Sequence, residues 1–246
     1  MGKGLKAVIF DFNGVIINDE TLHQELLEKV LIEENIRPRP GEYRDVCLGK
    51  SDRACFSEIL SNRGRAFTDA DLDMLVQRKS KYYQDAIATL TPLPIYSGVE
   101  DIIFRFRSLQ LPLAIVSGAV HDEIQKVLGR AGLTTHFSTI IAGDDISTSK
   151  PDPTGLLMAV DQLNQSFPTL DLDPSNCLVI EDTPAGIESA KRAGMSVVGV
   201  ANTYPYHMIQ RQANWAVDYL IELELDRLKY FFENQSEAAL SASAVD

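Results

Sequence analysis

The sequence predicts an α/β fold, a doubly wound, Rossmann-like parallel sheet with an all-α cap domain inserted into it. Three observations lead to this prediction. Five short apolar runs have the length and composition of buried strands, amphipathic segments separate most of them, and one long interval shows helical patterns alone. Strands that alternate with helices along a chain usually form a parallel sheet covered by helices on both faces.

The predicted strands are runs of β-branched and other apolar residues, without an alternation of polar and apolar positions. This pattern is typical of strands that are buried on both faces. The five runs are residues 5–10, 112–116, 138–142, 177–180 and 196–200. The clearest amphipathic segments between them are 119–131 and 183–193. Ligands of such sheets bind at the carboxyl ends of the strands, so functional residues are expected directly after these runs.

The interval from 19 to 92 contains no predicted strand. Its three helical patterns are ETLHQELLEKVLIEE, SDRACFSEIL and DADLDMLVQRKSKYYQDAI. We therefore expect residues 19–92 to form a helical cap domain, and residues 1–18 and 93–233 to form the core domain around the sheet. Prolines and a glycine mark the return to the core in TPLPIYSGV. The small, polar residues of 234–246 predict a disordered tail.

The composition is that of a folded globular protein, with 45% hydrophobic and 24% charged residues among 246. A net charge of −12 argues against a nucleic-acid partner, because phosphate backbones attract clustered Lys and Arg. The cysteines Cys47, Cys55 and Cys177 have neither CxxC nor His spacing and predict reduced thiols. No apolar run reaches the roughly 20 residues that cross a bilayer, and no signal peptide is evident. We expect a cytoplasmic monomer or homodimer without a membrane partner.

Asp11 directly follows the first apolar run, in the segment KAVIFDFNGVIIND. Asn13 and Gly14 come next. Gly14 permits a tight turn whose main-chain N–H groups could face an anion close to the Asp11 carboxylate. The alternative is that Asp11 belongs to an ordinary turn at the end of a strand. The segment alone leaves both interpretations open.

Two further segments contain groups that suit a phosphate. Ser117 ends the run LAIVS, and the next helix is predicted to begin at Gly118. A hydroxyl group and helix N-terminal amides can bind phosphate, although serine is also an ordinary N-cap. Lys150 precedes Pro151 in TSKPDP, at a predicted helix start. Its ammonium could neutralise a phosphate and a carboxylate together, or it could be a solvated loop residue.

Glu181 and Asp182 form an acidic pair at the end of the strand that leads into VIEDTPAGIESAKRAG. A helix is predicted after them, with Pro184 near its start. Paired carboxylates at the end of a strand indicate a site for a hard cation, and oxygen ligands suit Mg²⁺. The alternative is that Asp182 caps the helix while Glu181 is solvated.

These elements occur in a fixed order, each after or between predicted strands: Asp-x-Asn-Gly-Val at 11–15, Ser117, Lys150 and Glu181–Asp182. Together they resemble the four motifs of the haloacid dehalogenase superfamily, over residues 5 to about 203. The sequence is most similar to members with a helical cap after the first strand, the β-phosphoglucomutase and sugar-phosphate phosphatase group. NDETLH and LGKSDR resemble the cap entry and the cap loop of that group.

The resemblance implies phosphoryl transfer with Mg²⁺ as cofactor and a small phosphorylated metabolite as substrate, most simply by a phosphatase. Asp11 would attack phosphorus and form an aspartyl-phosphate. Ser117 and Lys150 would hold the transferring phosphoryl group. Oxygen atoms of four residues are implied around the metal: the Asp11 carboxylate, the Asn13 main-chain carbonyl, Asp182 and, as a ligand or orienting group, Glu181.

Asn13 departs from the family pattern, because the family's phosphatases and mutases have Asp there as general acid and base. An amide cannot exchange a proton near pH 7. Positioned acid–base catalysis contributes roughly 10²–10⁴-fold, so an alkoxide should leave slowly unless another group supplies the proton. Three explanations remain open: an inactivating substitution, a substrate with a good leaving group, or a replacement proton carrier from the cap.

Three cap residues are relevant to these explanations. His23 is the candidate proton carrier, because the cap entry of sugar-phosphate mutases has a histidine here and imidazole titrates near neutrality; the alternative is a surface histidine. Lys50 lies close to the position at which superfamily phosphonatases have an imine-forming lysine. In an ordinary cap loop, Lys50 or Arg53 would only contact substrate. A phosphomutase, a phosphonatase and a noncatalytic phosphoester-binding protein are therefore the alternative functions.

Overall fold

The computed structural model describes residues 4–243, with side chains as far as residue 234. In this part of the chain, six strands form one parallel sheet in the order β3-β2-β1-β4-β5-β6. The strands are β1 Ala7–Phe10, β2 Leu113–Val116, β3 Thr139–Ile141, β4 Cys177–Glu181, β5 Ser196–Val200 and β6 Trp215–Val217. The order reverses direction at β1, between β2 and β4. The predicted fold class is confirmed.

Helices cover both faces of the sheet. Those of the core are α4 Val99–Ser108, α5 His121–Ala131, α6 Thr154–Ser166, α7 Pro184–Arg192, α8 Tyr206–Ile209 and α9 Leu225–Ser243, and those between β1 and α4 are α1 Glu20–Glu33, α2 Asp52–Asn62 and α3 Asp69–Thr89. Alternate residues of β1 enter different hydrophobic clusters: Val8 and Phe10 pack with α4 and α5, Ala7 and Ile9 with α6 and α7. Burial on both faces explains the continuous apolar runs.

The three cap helices α1, α2 and α3 enclose a hydrophobic cluster of their own, which includes Leu31, Phe56 and Leu75. Two of them begin at side-chain caps. Ser51 accepts a hydrogen bond from the Ala54 amide at the start of α2, and Thr68 forms a capping box at the start of α3. An all-α cap inserted after β1 therefore agrees with the prediction.

Four local predictions differ from the structure. β6 was not predicted, because three half-buried residues at the sheet edge give a weak strand pattern. The helix expected at Gly118 begins at His121, after an extended Val120, and the helix expected beside Lys150 begins at Thr154. A disordered tail was predicted from residue 234, but α9 continues to Ser243 because its Ala, Glu and Leu residues favour helix. Residues 244–246 lie outside the described chain.

All three cysteines are free thiols, and all three are buried. None of the described helices combines the length and the apolar character needed to cross a bilayer.

Candidate active site

Asp11 lies at the carboxyl end of the central strand β1, and its carboxylate is buried. One oxygen, Oδ1, accepts a hydrogen bond from the Phe12 amide at 2.7 Å and lies 3.0 Å from the Lys150 ammonium. Burial raises the pKa of Asp11 to about 8, although Lys150 opposes this effect. A buried carboxylate with one side turned to a cation suits a nucleophile.

Lys150 joins two carboxylates that come from different strands. Its Nζ lies 3.0 Å from Asp11 Oδ1 and 2.5 Å from Glu181 Oε1. Burial opposes the charge, but the two carboxylates outweigh it and raise the pKa of Lys150. Lys150 therefore stays protonated and supplies the local positive charge that a phosphate needs in a protein of net charge −12.

Both oxygens of the Glu181 carboxylate already accept hydrogen bonds from the protein. Oε1 accepts from Lys150, and Oε2 accepts from the amides of Asp182 and Thr183 at 2.8 and 2.9 Å. Burial would raise its pKa, but Lys150 and Thr183 outweigh burial and lower it. Of the two predicted roles, orienting group and metal ligand, this geometry favours the orienting one.

Asp182 is fully buried, and neither of its carboxylate oxygens has a hydrogen-bond partner among the described residues. Burial, with the Glu181 and Asp11 carboxylates, raises the pKa of Asp182 well above its ordinary range. An unpaired buried carboxylate is costly unless a cation compensates it. Thr183, not Asp182, caps α7, so the helix-cap alternative for Asp182 was wrong.

Gly14 creates the space beside Asp182. Its φ is +77°, and a Cβ atom at this position would lie 1.9 Å from Asp182 Oδ2. The turn thus needs glycine both for its backbone conformation and for the approach of this carboxylate. Ligand atoms of Asp11, Glu181 and Asp182 lie within 4.8 Å of one another. This set of carboxylates, of which Asp182 has no hydrogen-bond partner among the described residues, fits Mg²⁺.

Ser117 and Gly118 face the same site from the end of β2. The buried Ser117 hydroxyl accepts a hydrogen bond from the Ala119 amide at 3.0 Å and lies 3.4 Å from Asn13 Oδ1. The cap loop crosses closely over Gly118, since a Cβ atom there would lie 2.8 Å from the Lys50 carbonyl oxygen. The motif residues that follow β1, β2 and β4 are thus brought together with Lys150.

Asn13 is held by the start of the cap. Its Nδ2 donates to both carboxylate oxygens of Asp19, at 3.1 and 3.0 Å, and lies 3.0 Å from His23 Nε2. The Tyr83 hydroxyl donates to Asp19 Oδ2 at 2.5 Å. Asp19 is buried, and these donors satisfy both of its carboxylate oxygens.

His23 is buried and stacked on the Tyr83 ring, so the surface-histidine alternative was wrong. The Lys79 ammonium lies 2.6 Å from His23 Nδ1, and Asp19 Oδ2 lies 3.3 Å from Nε2. Lysine can only donate and carboxylate can only accept. Nδ1 therefore accepts from Lys79, and Nε2 faces both the Asp19 carboxylate and the Asn13 amide. Burial and Lys79 lower the pKa of His23, but Asp19 and Glu123 outweigh them and raise it.

Two residues that were predicted to contact substrate form ion pairs within the cap. Lys50 lines the cavity beside Asp11, but its ammonium pairs with Glu58 at 2.6 Å. Arg53 pairs with Asp69 and Asp73 and lines a separate cleft of about 770 Å³ between cap and core. The structure does not bring Arg53 to the cavity beside Asp11.

The cavity lined by Asp11, Asn13, Ser117 and Lys150 has a volume of about 30 Å³. Pockets for metabolites usually measure roughly 300–1,000 Å³. The cap loop closes the cavity, and the Ser51 amide donates to Ser149 Oγ of the core at 2.9 Å. A metabolite can therefore enter only if the cap moves away from the core.

A family model described as haloacid dehalogenase-like hydrolase matches residues 8–200, from β1 to β5, including the cap and the four motifs. The chain belongs to the haloacid dehalogenase-like hydrolase family. Its relatives include named phosphatases, and the chain is an enzyme of this hydrolase class.

Two curated relatives represent the activities found near this chain. It is 30% identical to the β-phosphoglucomutase of Bacillus subtilis, over 82% of this chain and 85% of the relative. It is 27% identical to the validoxylamine A 7'-phosphate phosphatase of Streptomyces hygroscopicus subsp. limoneus, over 81% of this chain and 87% of the relative. The similarity supports phosphoryl transfer involving phosphorylated small molecules.

The solved structures show the same fold. A β-phosphoglucomutase from Clostridium difficile superposes with a TM-score of 0.79 at 24% identity, covering 94% of this chain and 98% of that one.

Sequence reasoning did not identify several residues around the cavity: Asp19, Glu20, Tyr43, Asp52, Lys79, Tyr83 and Glu123. Lys79 had a detectable signal, since it occupies a buried-face position of α3 between Leu75 and Tyr83, where an apolar residue is expected. Asp19 has the residue type and position of an N-cap, but its side chain makes no capping hydrogen bond to α1.

Proposed function

We propose that this enzyme is a Mg²⁺-dependent phosphatase that hydrolyses a small phosphorylated metabolite through an aspartyl-phosphate. One observation carries the proposal. The Asp11 carboxylate lies 3.0 Å from the Lys150 ammonium in a closed cavity, beside the unpaired carboxylate of Asp182. This combination offers a nucleophile, a cation for the phosphoryl group and a metal ligand at one point.

Asp11 attacks phosphorus with the oxygen that is not bound to Lys150, and the bond from phosphorus to the leaving group breaks. Lys150 and the Ser117 hydroxyl hold the phosphoryl oxygens during transfer. Glu181 keeps Lys150 in place through its 2.5 Å contact. The small cavity excludes bulk water while the cap is closed.

Asp11, the main-chain carbonyl of Asn13 and Asp182 would hold Mg²⁺, which when bound stabilises the negative charge of the phosphoryl oxygens. Asn13 can serve in this role because a main-chain carbonyl does not depend on the side chain. The substitution at position 13 therefore affects proton transfer and leaves the metal site complete.

The test measures phosphate release from a panel of sugar, polyol and glycolate phosphates with Mg²⁺, and the mass of the protein after quenching with acid. We expect release of phosphate from at least one metabolite and a phosphoryl adduct on Asp11 with acetyl phosphate. Asp11→Asn should abolish both, while the exposed Asp161→Asn should leave both unchanged. Turnover that persists in Asp11→Asn would contradict the proposal.

A phosphomutase is the second candidate, favoured by the 30% identity to the Bacillus subtilis β-phosphoglucomutase. Phosphorus NMR with β-glucose 1-phosphate and a trace of glucose bisphosphate distinguishes the two candidates. A mutase forms glucose 6-phosphate and little inorganic phosphate, whereas a phosphatase releases phosphate.

A phosphonatase and a noncatalytic phosphoester-binding protein receive less support from the site. A phosphonatase would need the Lys50 amine to reach the substrate and form an imine, but its Nζ is paired with Glu58 at 2.6 Å. A noncatalytic protein needs no nucleophile, yet Asp11, Lys150 and the unpaired Asp182 are all retained.

A further inference from the structure

Hydrolysis by this site requires a group that gives a proton to the leaving oxygen and later takes one from water. Asn13 cannot carry out either transfer. The carrier must line the cavity beside Asp11, and it must not be committed to a fixed ion pair. The titratable residues of the cavity wall other than Asp11 are Glu20, His23, Tyr43, Cys47, Lys50, Asp52, Cys55 and Lys150.

Most of these groups already pair with another residue. Asp52 pairs with Lys79 at 2.7 Å, and Lys50 pairs with Glu58. Lys150 bridges two carboxylates and stays charged. The thiols of Cys47 and Cys55 contact each other, and burial raises the pKa of Cys55 far above neutrality.

His23 is a less suitable carrier in this arrangement. Its Nδ1 faces the Lys79 ammonium and its Nε2 faces Asp19 and the Asn13 amide, so both nitrogens already contact other groups. Burial and Lys79 lower the pKa of His23, whereas Asp19 and Glu123 outweigh them and raise it. Protonation of Nδ1 would place two cationic groups 2.6 Å apart.

We propose that Glu20 is the general acid and base of this enzyme, taking the role that Asn13 cannot fill. This inference depends on the proposed phosphatase function. Glu20 is the first residue of α1 and lines the catalytic cavity together with Asp11, Asn13 and Lys150. Its Oε2 accepts a hydrogen bond from the Tyr43 hydroxyl at 2.7 Å, and no cation of the described chain pairs with it.

The surroundings of Glu20 favour its protonated form more than water does. Burial raises the pKa of Glu20, while His23, the Tyr43 hydroxyl and Lys79 lower it in part. The titratable groups that face it are Asp19 and His23 of the cap entry, Tyr43 of the segment between α1 and α2, Lys79 and Tyr83 of α3, and Tyr96, Asp182 and Tyr204 of the core.

The proposed steps balance. In the first, Asp11 forms a bond to phosphorus, the bond from phosphorus to the leaving oxygen breaks, and that oxygen takes the proton of the Glu20 carboxyl. In the second, a water oxygen bonds to phosphorus, its proton passes to the Glu20 carboxylate, and the bond between phosphorus and Asp11 breaks. Alcohol and inorganic phosphate are released, and Glu20 is protonated again.

The experiment compares Glu20→Gln with Glu25→Gln, an exposed glutamate of the same helix. β-Glycerophosphate and p-nitrophenyl phosphate serve as substrates with poor and good leaving groups, and acetyl phosphate is used to phosphorylate Asp11. Glu20→Gln should slow release of glycerol from β-glycerophosphate about 10²-fold or more, the range of positioned acid catalysis. Phosphorylation by acetyl phosphate should change little, and the aspartyl-phosphate should persist longer. Glu25→Gln should match the wild type.

A second variant provides a pH signature that does not depend on removing the carboxyl group. Cleavage of β-glycerophosphate should slow as the pH rises and Glu20 loses its proton. The Tyr43 hydroxyl stabilises the Glu20 carboxylate, so in Tyr43→Phe this decrease in rate should occur at a higher pH. In Glu20→Gln this limb of the pH profile should disappear. Thermal unfolding verifies that each variant is folded.

Four results would overturn the assignment. Equal loss with both leaving groups in Glu20→Gln would mean a structural role, and unchanged rates would mean that Glu20 takes no part. A loss specific to poor leaving groups in His23→Gln, with Glu20→Gln unaffected, would assign the proton to His23. If wild-type Asp11 accepts no phosphoryl group from any donor, the proposed phosphatase function fails together with this inference.

Discussion

The side-chain amide of Asn13 donates to both carboxylate oxygens of Asp19, at 3.1 and 3.0 Å. The carboxylate at this point of the site thus belongs to residue 19, and residue 13 is the neutral partner. The contact gives a physical reason for Asn13, because a second carboxylate here would face the first at hydrogen-bond distance.

Asn13→Asp should therefore destabilise the protein even though it introduces the residue that is usual in the family. Ionising both of two adjacent carboxyl groups costs free energy. The pair should therefore share a proton at low pH, and the two carboxylates should repel each other at high pH. We expect the free energy of unfolding to fall by roughly 2–4 kcal/mol at pH 8 and by less at pH 5. Urea unfolding at the two pH values measures this.

Asn13→Asp combined with Asp19→Asn is the matched control, because it exchanges the amide and the carboxylate and keeps one charge. Most of the stability should return in this double variant. If Asn13→Asp alone were equally stable at pH 5 and pH 8, the proposed repulsion between residues 13 and 19 would be wrong.

Asp182→Asn should remove Mg²⁺ binding and at the same time stabilise the metal-free protein. The pKa of Asp182 is raised in the folded state, so the folded state binds more protons than the unfolded one and loses stability as pH rises above about 4. Mg²⁺ should offset this loss in the wild type, by about 2.7 kcal/mol at 100 times its Kd.

Calorimetry and thermal unfolding with Mg²⁺ or with a chelator test this prediction. The exposed Asp161→Asn should retain the wild-type response. Mg²⁺ that stabilised Asp182→Asn as much as the wild type would place the metal elsewhere.

Sequence patterns predicted the part of the site that lies on the sheet. Asp11, Ser117 and Asp182 each follow a strand, and parallel strands end at one edge, so local patterns were sufficient to bring them together. The roles assigned to Glu181 and Asp182 could not be separated from sequence, because only the structure shows which carboxylate is already satisfied.

The cap side of the site could not be predicted in the same way. Lys79 meets His23 across 56 residues, and Tyr83 meets Asp19 across 64. Such contacts depend on how α1 and α3 pack, which hydrophobic periodicity does not determine. Arg53 shows the same limit, because its position in the first turn of α2 gives no indication of its pairs on α3.

Gly14→Ala should destabilise the fold and weaken Mg²⁺ binding. Its Cβ would lie 1.9 Å from Asp182 Oδ2, and the backbone has a φ of +77°. Gly64→Ala is the control, since Gly64 has a φ of +66° and a Cβ atom there would meet no described residue within 4 Å beyond its chain neighbours. The control should lose only the roughly 1–2 kcal/mol of a left-handed alanine.

The difference between these two alanine variants isolates the contact with Asp182. Urea unfolding should show a larger loss for Gly14→Ala, and calorimetry should show a weaker Mg²⁺ signal for that variant alone. Equal losses in the two variants, with Mg²⁺ binding intact, would mean that Asp182 can move away without consequence.

Lys79→Met should be severely destabilising, because Lys79 is the buried cation of the interface between cap and core. Its ammonium lies 2.7 Å from Asp52 and 2.6 Å from His23 Nδ1. The carboxylate oxygens of Glu123, on α5 of the core, are buried and lack hydrogen-bond partners among the described residues. Without Lys79 these charges are uncompensated, and breaking a buried pair costs roughly 3–5 kcal/mol.

The loss of stability in Lys79→Met should depend on pH, because Glu123 is titratable. Burial raises the pKa of Glu123, and Lys79 lowers it in the wild type. In Lys79→Met that opposing charge is gone, so the folded state should hold the Glu123 proton more tightly and lose stability more steeply between pH 5.5 and pH 8. Lys79 itself titrates above this range, since the Asp52 and Glu123 carboxylates outweigh burial and raise its pKa.

Adding Glu123→Gln to Lys79→Met should remove most of this extra pH dependence, because the amide cannot ionise. Urea unfolding of the single and double variants at both pH values measures the coupling. If the extra pH dependence survives in the double variant, Glu123 is not its source, and His23, whose pKa Lys79 also lowers, becomes the group that titrates.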